Sequence, residues 1–178
     1  YIKELTTISL SPEAISRHKD MKIVYTPIHG TGVKLVPAAL KAYGFTNIIH
    51  VPEQDVVSGD FPTVISPNPE EPAALAMAVE KAKETDAELV MASDPDADRV
   101  GAAVKNNEGE WVLLNGNQTA LMFVYYLITR WKELGKINGK EYIVKTIVTT
   151  ETIKTIAERN GVEMYDVYTC LLYTSDAA

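Results

Sequence analysis

Short β-branched runs alternate along this chain with amphipathic helical stretches that stop at glycines, and this alternation limits the fold more than any other feature. Lys22-Ile23-Val24-Tyr25-Thr26 reads as a buried strand, His29-Gly30-Thr31-Gly32 as the turn after it, and Val33 to Tyr43 as a helix closed by Gly44. A helix near Ser11-Pro12-Glu13 precedes them, and Asn47 to Val51 is the next strand. Pro62, Pro67, Pro69 and Pro72 stiffen a loop over 59–72. Leu75, Ala78, Val79 and Ala82 then fall at i, i+3, i+4 and i+7, one apolar stripe for packing on a sheet. Glu88 to Ala92 is a strand, and Val100 to Val104 with Trp111 to Leu114 read as a hairpin. A long helix from Asn117 to Leu134, a strand from Tyr142, a helix from Glu151 to Arg159 and a strand from Val162 to Val167 complete the pattern. The last β-α-β unit echoes the first. The fold class expected is therefore α/β, as two related α/β domains with mixed, mainly parallel sheets.

Composition removes several function classes. With 46% apolar and 23% charged residues the chain is in the globular range, so disordered, collagenous and disulfide-scaffold classes are excluded. Its formal charge of -7 disfavours nonspecific attraction to nucleic acid or anionic lipid. The longest apolar run, Ala120 to Ile128, is far short of the ~20 residues a membrane helix needs. The opening residues show no basic region followed by an apolar one, and the single cysteine, Cys170, cannot form an internal disulfide. These features favour a cytoplasmic protein without nucleic-acid or membrane partners. The chain opens on Tyr1 rather than Met, as expected of a cut end.

The segment Ser93-Asp94-Pro95-Asp96-Ala97-Asp98-Arg99, directly after an apolar strand, carries the chemistry. In an extended loop the carboxylates at i, i+2 and i+4 project to one side, where their repulsion calls for a cation. Oxygen ligands with no His or Cys nearby favour a hard ion, Mg²⁺ before Zn²⁺. Arg99 beside such a cluster makes sense if an anion such as phosphate lies between them. An EF-hand fails, because Arg99 and Lys105 stand where that loop needs Gly and Glu. Two rivals stay open: a solvated acidic turn, and a D-x-D phosphatase with Asp94 as an aspartyl-phosphate nucleophile.

His29, Gly30, Thr31 and Gly32 form a strand-to-helix turn whose free N–H groups could face a phosphate, or which is simply a tight turn. The segment fits neither the G-x-x-x-x-G-K-[ST] pattern nor G-x-G-x-x-G. His29 and His50 have no second ligand at metal spacing and read as structural or surface residues.

Taken with Phe61-Pro62, Pro67-Asn68-Pro69-Glu70 and Leu114-Asn115-Gly116-Asn117-Gln118, these segments strongly resemble the α-D-phosphohexomutase family, the phosphoglucomutases and phosphomannomutases. The resemblance implies a four-domain, Mg²⁺-dependent isomerase that moves phosphate between C1 and C6 of a hexose phosphate, through a phosphoserine and a bisphosphate intermediate. Asp94, Asp96 and Asp98 match the family's three metal-ligating aspartates, and Arg99 matches the arginine expected near the transferring phosphate. The partner implied is a phosphosugar. No Ser-His-Asn-Pro-type loop occurs, so no catalytic residue is assigned, and this chain alone is expected to be inactive. The family's Gly-Glu-Glu-Ser sugar-binding loop is missing as well, which leaves glucose, mannose and pentose phosphates open.

The resemblance divides the chain into a lead-in over 1–21 from a missing first domain, the metal-loop domain II over 22–108, and a truncated domain III over 109–169. Residues 170–178 depart from the family. They back-translate into a string resembling the transposon-end adaptor of sequencing libraries, so they are expected to be non-native. Besides a fragment of a phosphohexose mutase, two functions remain: the D-x-D phosphatase, and a non-catalytic Mg²⁺ or sugar-phosphate-binding module.

Overall fold

A computed structural model describes residues 1–169, and the stretch read as an adaptor-derived tail, 170–178, lies outside the described residues. The chain forms two compact units, Tyr1–Asn115 and a second from Gly116 onward.

The first unit contains helices α1 (Ile2–Thr7) and α2 (Pro12–Arg17), strand β1 (Lys22–Thr26), helix α3 (Gly32–Tyr43) and strand β2 (Asn47–His50). Helix α4 (Pro72–Thr85) and strands β3 (Leu89–Ser93), β4 (Val100–Lys105) and β5 (Trp111–Leu114) follow. The five strands make one mixed sheet in the order β2-β1-β3-β4-β5. β1 lies parallel to β2 and β3, while β3, β4 and β5 run as an antiparallel meander. The β-branched and aromatic residues of β1 are buried from Ile23 through Thr26, as expected of a strand covered on both faces. Of the stripe read on α4, Leu75, Ala78 and Ala82 are fully buried and Val79 packs at the edge. They close the core with Val24, Ile28, Val51, Val90 and Ala103. Gly44 ends α3 at φ 119°, where its N–H donates to the Leu40 and Lys41 carbonyls.

Residues 1–21, read as a lead-in, carry two short helices, and the Tyr43 hydroxyl on α3 donates to the Leu5 carbonyl at 2.8 Å. β5 is zipped to β4 from Ala102↔Leu114 to Lys105↔Trp111, and the first compact unit ends at Asn115.

The second unit contains helix α5 (Gly116–Glu133), strand β6 (Tyr142–Thr146), helix α6 (Thr152–Arg159) and strand β7 (Glu163–Val167). β6 and β7 pair in parallel across α6, as β1 and β2 do across α3. Ile128, Ala157 and Val162 form the small core. Beside it, buried Lys145 holds the carboxylates of Asp166 at 2.6 Å and Glu151 at 2.7 Å. Asp166 first, then Glu151, raises the Lys145 ammonium above its ordinary value of 10.5. A lysine raised on folding contributes stability that is full below that value and lost as pH rises through the folded one. Lys145→Met is therefore expected to melt lower than wild type at neutral pH, with the gap narrowing as pH rises above 10.5. A gap that stays constant in thermal melts across that range would refute this.

Candidate metal centre

The last rung of the β3–β4 ladder pairs Ser93 with Val100, so residues 94–99 form the tip of a hairpin. The Ala97 N–H donates to the Asp94 carbonyl at 3.0 Å, closing a turn with Pro95 at its second position, where the ring's fixed φ suits it. Ala97 takes φ 62° as the chain leaves the turn. This tight tip brings together the three aspartates read from the sequence. Ligand oxygens of Asp94, Asp96 and Asp98 all lie within 4.8 Å of one another, with Asp94 buried and the other two exposed.

That donor set fits a small hard cation. Octahedral Mg²⁺ with bonds of about 2.1 Å places oxygens about 3.0 to 4.2 Å apart, a spacing these three carboxylates, all within 4.8 Å of one another, can close to reach. An all-carboxylate set without imidazole or thiolate also favours magnesium over zinc. It is the one such cluster among the described residues.

Arg99 differs from its sequence reading in one respect. Its partner within the chain is Asp94: the Arg99 N–H donates to Oδ1 at 2.9 Å and its Nε to Oδ2 at 2.8 Å. Burial pushes the Asp94 carboxyl up, but Arg99's backbone N–H and guanidinium outweigh it and hold the group below its ordinary 3.8. Asp98 is pushed the other way, first by the charge of Asp96. Arg99 is raised, chiefly by its bond to Asp94. Each carboxylate oxygen has a second lone pair, so a cation can join Asp94 without displacing Arg99.

Three N–H groups of the glycine turn are engaged within the chain. The N–H groups of His29, Gly30 and Thr31 already donate to the carbonyls of Gln54, Pro27 and Pro95, at 2.9, 2.9 and 2.8 Å. His29 is buried, its Nδ1 donating to the Val56 carbonyl and its Nε2 bonded to the Thr63 hydroxyl, both at 2.8 Å. Gly30 is buried as well, and the Thr31 hydroxyl donates to the Pro95 carbonyl at 3.1 Å. His50, set apart from this site, pairs with Asp55 at 2.9 Å.

Sequence reasoning missed the layer beneath the loop. The Tyr25 hydroxyl bonds to Ser93 Oγ at 2.8 Å, fully inside the unit, and burial pushes the Tyr25 phenol up. Buried Gln54 takes the Thr26 hydroxyl at 2.7 Å and donates to Thr63 at 3.2 Å. The only sequence signal for Tyr25 and Ser93 is a polar group on an otherwise apolar strand, and Gln54, in the loop after β2, carries none.

The family described as phosphoglucomutase/phosphomannomutase, alpha/beta/alpha domain II, matches residues 1–109. A phosphoglucomutase of Staphylococcus saprophyticus is 34% identical over 176 residues, covering 99% of this chain and 31% of the relative. A human phosphopentomutase is 34% identical over 160 residues, covering 88% of this chain and 26% of the relative. The chain thus spans between a quarter and a third of the length of these relatives. Among solved structures, the Aspergillus fumigatus N-acetylphosphoglucosamine mutase in complex with GlcNAc-6P and magnesium shares the fold. Its TM-score is 0.61 at 15% identity, covering 95% of this chain and 35% of that one.

Proposed function

The chain belongs to the phosphoglucomutase/phosphomannomutase family, and from that premise we propose that residues 94–99 are the Mg²⁺ loop of a phosphohexose mutase. The observation that carries this is the convergence of three carboxylates within 4.8 Å beside a guanidinium. Asp94, Asp96 and Asp98 hold the cation, which when bound supplies charge neutralisation for phosphoryl transfer. Arg99 fixes Asp94 through Nε and offers its remaining guanidinium N–H groups to a substrate phosphate. A solved mutase of the same fold is in complex with GlcNAc-6P and magnesium, which supports a cation and a phosphosugar as the ligand classes.

The reaction proposed for the whole protein is transfer of phosphate between C1 and C6 of a hexose phosphate, by way of a phosphoserine and a bisphosphate. The serine loop is not in this sequence, so the 178 residues by themselves provide the cation loop and not the nucleophile. A D-x-D phosphatase would use Asp94 as its nucleophile, a side chain that is 1% exposed and bonded to Arg99 through both oxygens, and covalent aspartyl-phosphate trapping tests that reading.

Calorimetric titration with MgCl₂ tests the assignment. The chain is expected to bind one Mg²⁺, and Asp96→Asn, which removes an exposed ligand charge, is expected to bind at least about tenfold more weakly. Titrations that are flat for both proteins, or identical for both, would overturn the metal reading.

A further inference from the structure

The turn that precedes α3 is strained, its His29, Gly30 and Thr31 N–H groups are bonded within the chain, and it ends against the metal loop. Ile28 and His29 both have positive φ, 45° and 62°. For an L-residue this is a strained conformation, and for a β-branched one it is a genuine outlier. The strain is maintained because Ile28 is locked in the core and His29 is tied to Gln54, Val56 and Thr63. Such strain persists where the surroundings fix it, and it concentrates where backbone placement matters.

What the turn achieves is a grip on the main chain of Pro95. Thr31 donates to the Pro95 carbonyl twice, through its N–H at 2.8 Å and its hydroxyl at 3.1 Å. Thr31 is also the N-cap residue of α3, yet its side chain makes no capping hydrogen bond. The hydroxyl is turned to the loop instead of to its own helix. Gly30 lies flat against the same peptide: a Cβ there would press on the Pro95 Cα and stand 2.6 Å from its carbonyl oxygen. At Gly32, a Cβ would strike the Tyr25 hydroxyl and Ser93 Oγ, so its absence makes room for their hydrogen bond. The loop is therefore held on both sides of Asp94, at Ser93 before it and at Pro95 after it.

We infer that Gly30, Thr31 and Gly32 are positioning residues that orient the Pro95–Asp96 peptide, so that Asp96 meets Asp94 and Asp98 before any cation arrives. Pinning the Pro95 carbonyl fixes the plane of the peptide leading into Asp96 and with it the direction of the Asp96 side chain. Three like charges within 4.8 Å repel, and a turn free of this grip would spread them. Preorganisation of this kind raises affinity by removing the cost of assembling the ligands on binding. The inference rests on reading the three aspartates as cation ligands.

The test is Mn²⁺ titration of the 178-residue chain, followed by the loss of the free-ion electron paramagnetic resonance signal, with metal-free thermal melts in parallel. Thr31→Val keeps shape and backbone but removes one donor, and is expected to weaken Mn²⁺ binding about threefold to tenfold with an unchanged metal-free melt. Thr31→Ser is expected to restore wild-type affinity, a rescue that a merely structural role would not give. Gly30→Ala, which forces the Pro95 peptide away, is expected to weaken binding more than about tenfold. If Gly30→Ala does not fold, the Thr31 pair decides. Wild-type affinity in Thr31→Val overturns the positioning role while leaving the metal reading standing. No Mn²⁺ uptake by wild type, or equal uptake by Asp96→Asn, overturns the metal reading and this inference together.

Discussion

Asp94→Asn is expected to abolish divalent-cation binding and to lower the stability of the first unit in the same protein. The two effects have separate causes. Asp94 is the buried member of the three ligands, and asparagine at that position removes the charge that draws a cation to a partly buried oxygen. It also removes the acceptor for the Arg99 Nε, because one oxygen becomes an NH₂ group facing another donor. Arg99 is 59% exposed, so solvent screening weakens the pair and the stability loss is expected to be modest but measurable. Asp98→Asn provides the contrast. Asp98 is exposed and raised by the charge of Asp96, so neutralising it relieves repulsion. That variant should bind Mg²⁺ more weakly while melting no lower than wild type. Urea unfolding and Mg²⁺ titration of both variants check the pair. Equal stability losses in the two would show that Asp94 is not anchored by Arg99.

Gly101→Ala is expected to destabilise the first unit by about 2–3 kcal/mol, through overpacking rather than loss of any contact. Gly101 sits in β4 opposite Ala92, with the Pro69 carbonyl lying directly over it. A methyl group there would stand 2.8 Å from the Pro69 carbonyl carbon and nearer still to its oxygen. The obstructing atoms are main chain, and Pro67, Pro69 and Pro72 limit how that chain can retreat. For a unit of this size the midpoint should fall by roughly 10 °C. A melt within about 2 °C of wild type would show that the proline loop yields freely.

The fold was legible wherever periodicity and punctuation agreed. The strands at 22–26, 100–105 and 111–114, and the apolar stripe of α4, stand where hydrophobic pattern and turn residues put them. Helix α1 was not legible, because its six residues are too few to show a helical stripe. Strand order was not legible either, since the parallel β1–β3 pairing joins residues more than 60 positions apart. Within the site, the aspartates announce themselves by spacing, because a row of like charges needs an external reason. The glycine turn was ambiguous for a physical reason. Glycine before a helix signals close approach by something, and the sequence does not say whether that is a phosphate or another stretch of backbone. Here it is the backbone of Pro95. Arg99's bond to Asp94 was hidden likewise, since a guanidinium beside carboxylates can face inward as readily as outward.

The grip on the acidic loop falls on a carbonyl oxygen and a Cα, atoms that every residue possesses. At Pro95 the grip is therefore indifferent to the side chain, while Ser93 and Asp94 hold the loop through theirs. Positions 96 and 98 are exposed and display the ligands, whereas a Cβ at position 30 would meet the main chain of Pro95, which cannot step aside as a side chain can. The half of the contact that bears the ligands can be altered one residue at a time, and the half that holds them turns on a single hydrogen atom at position 30.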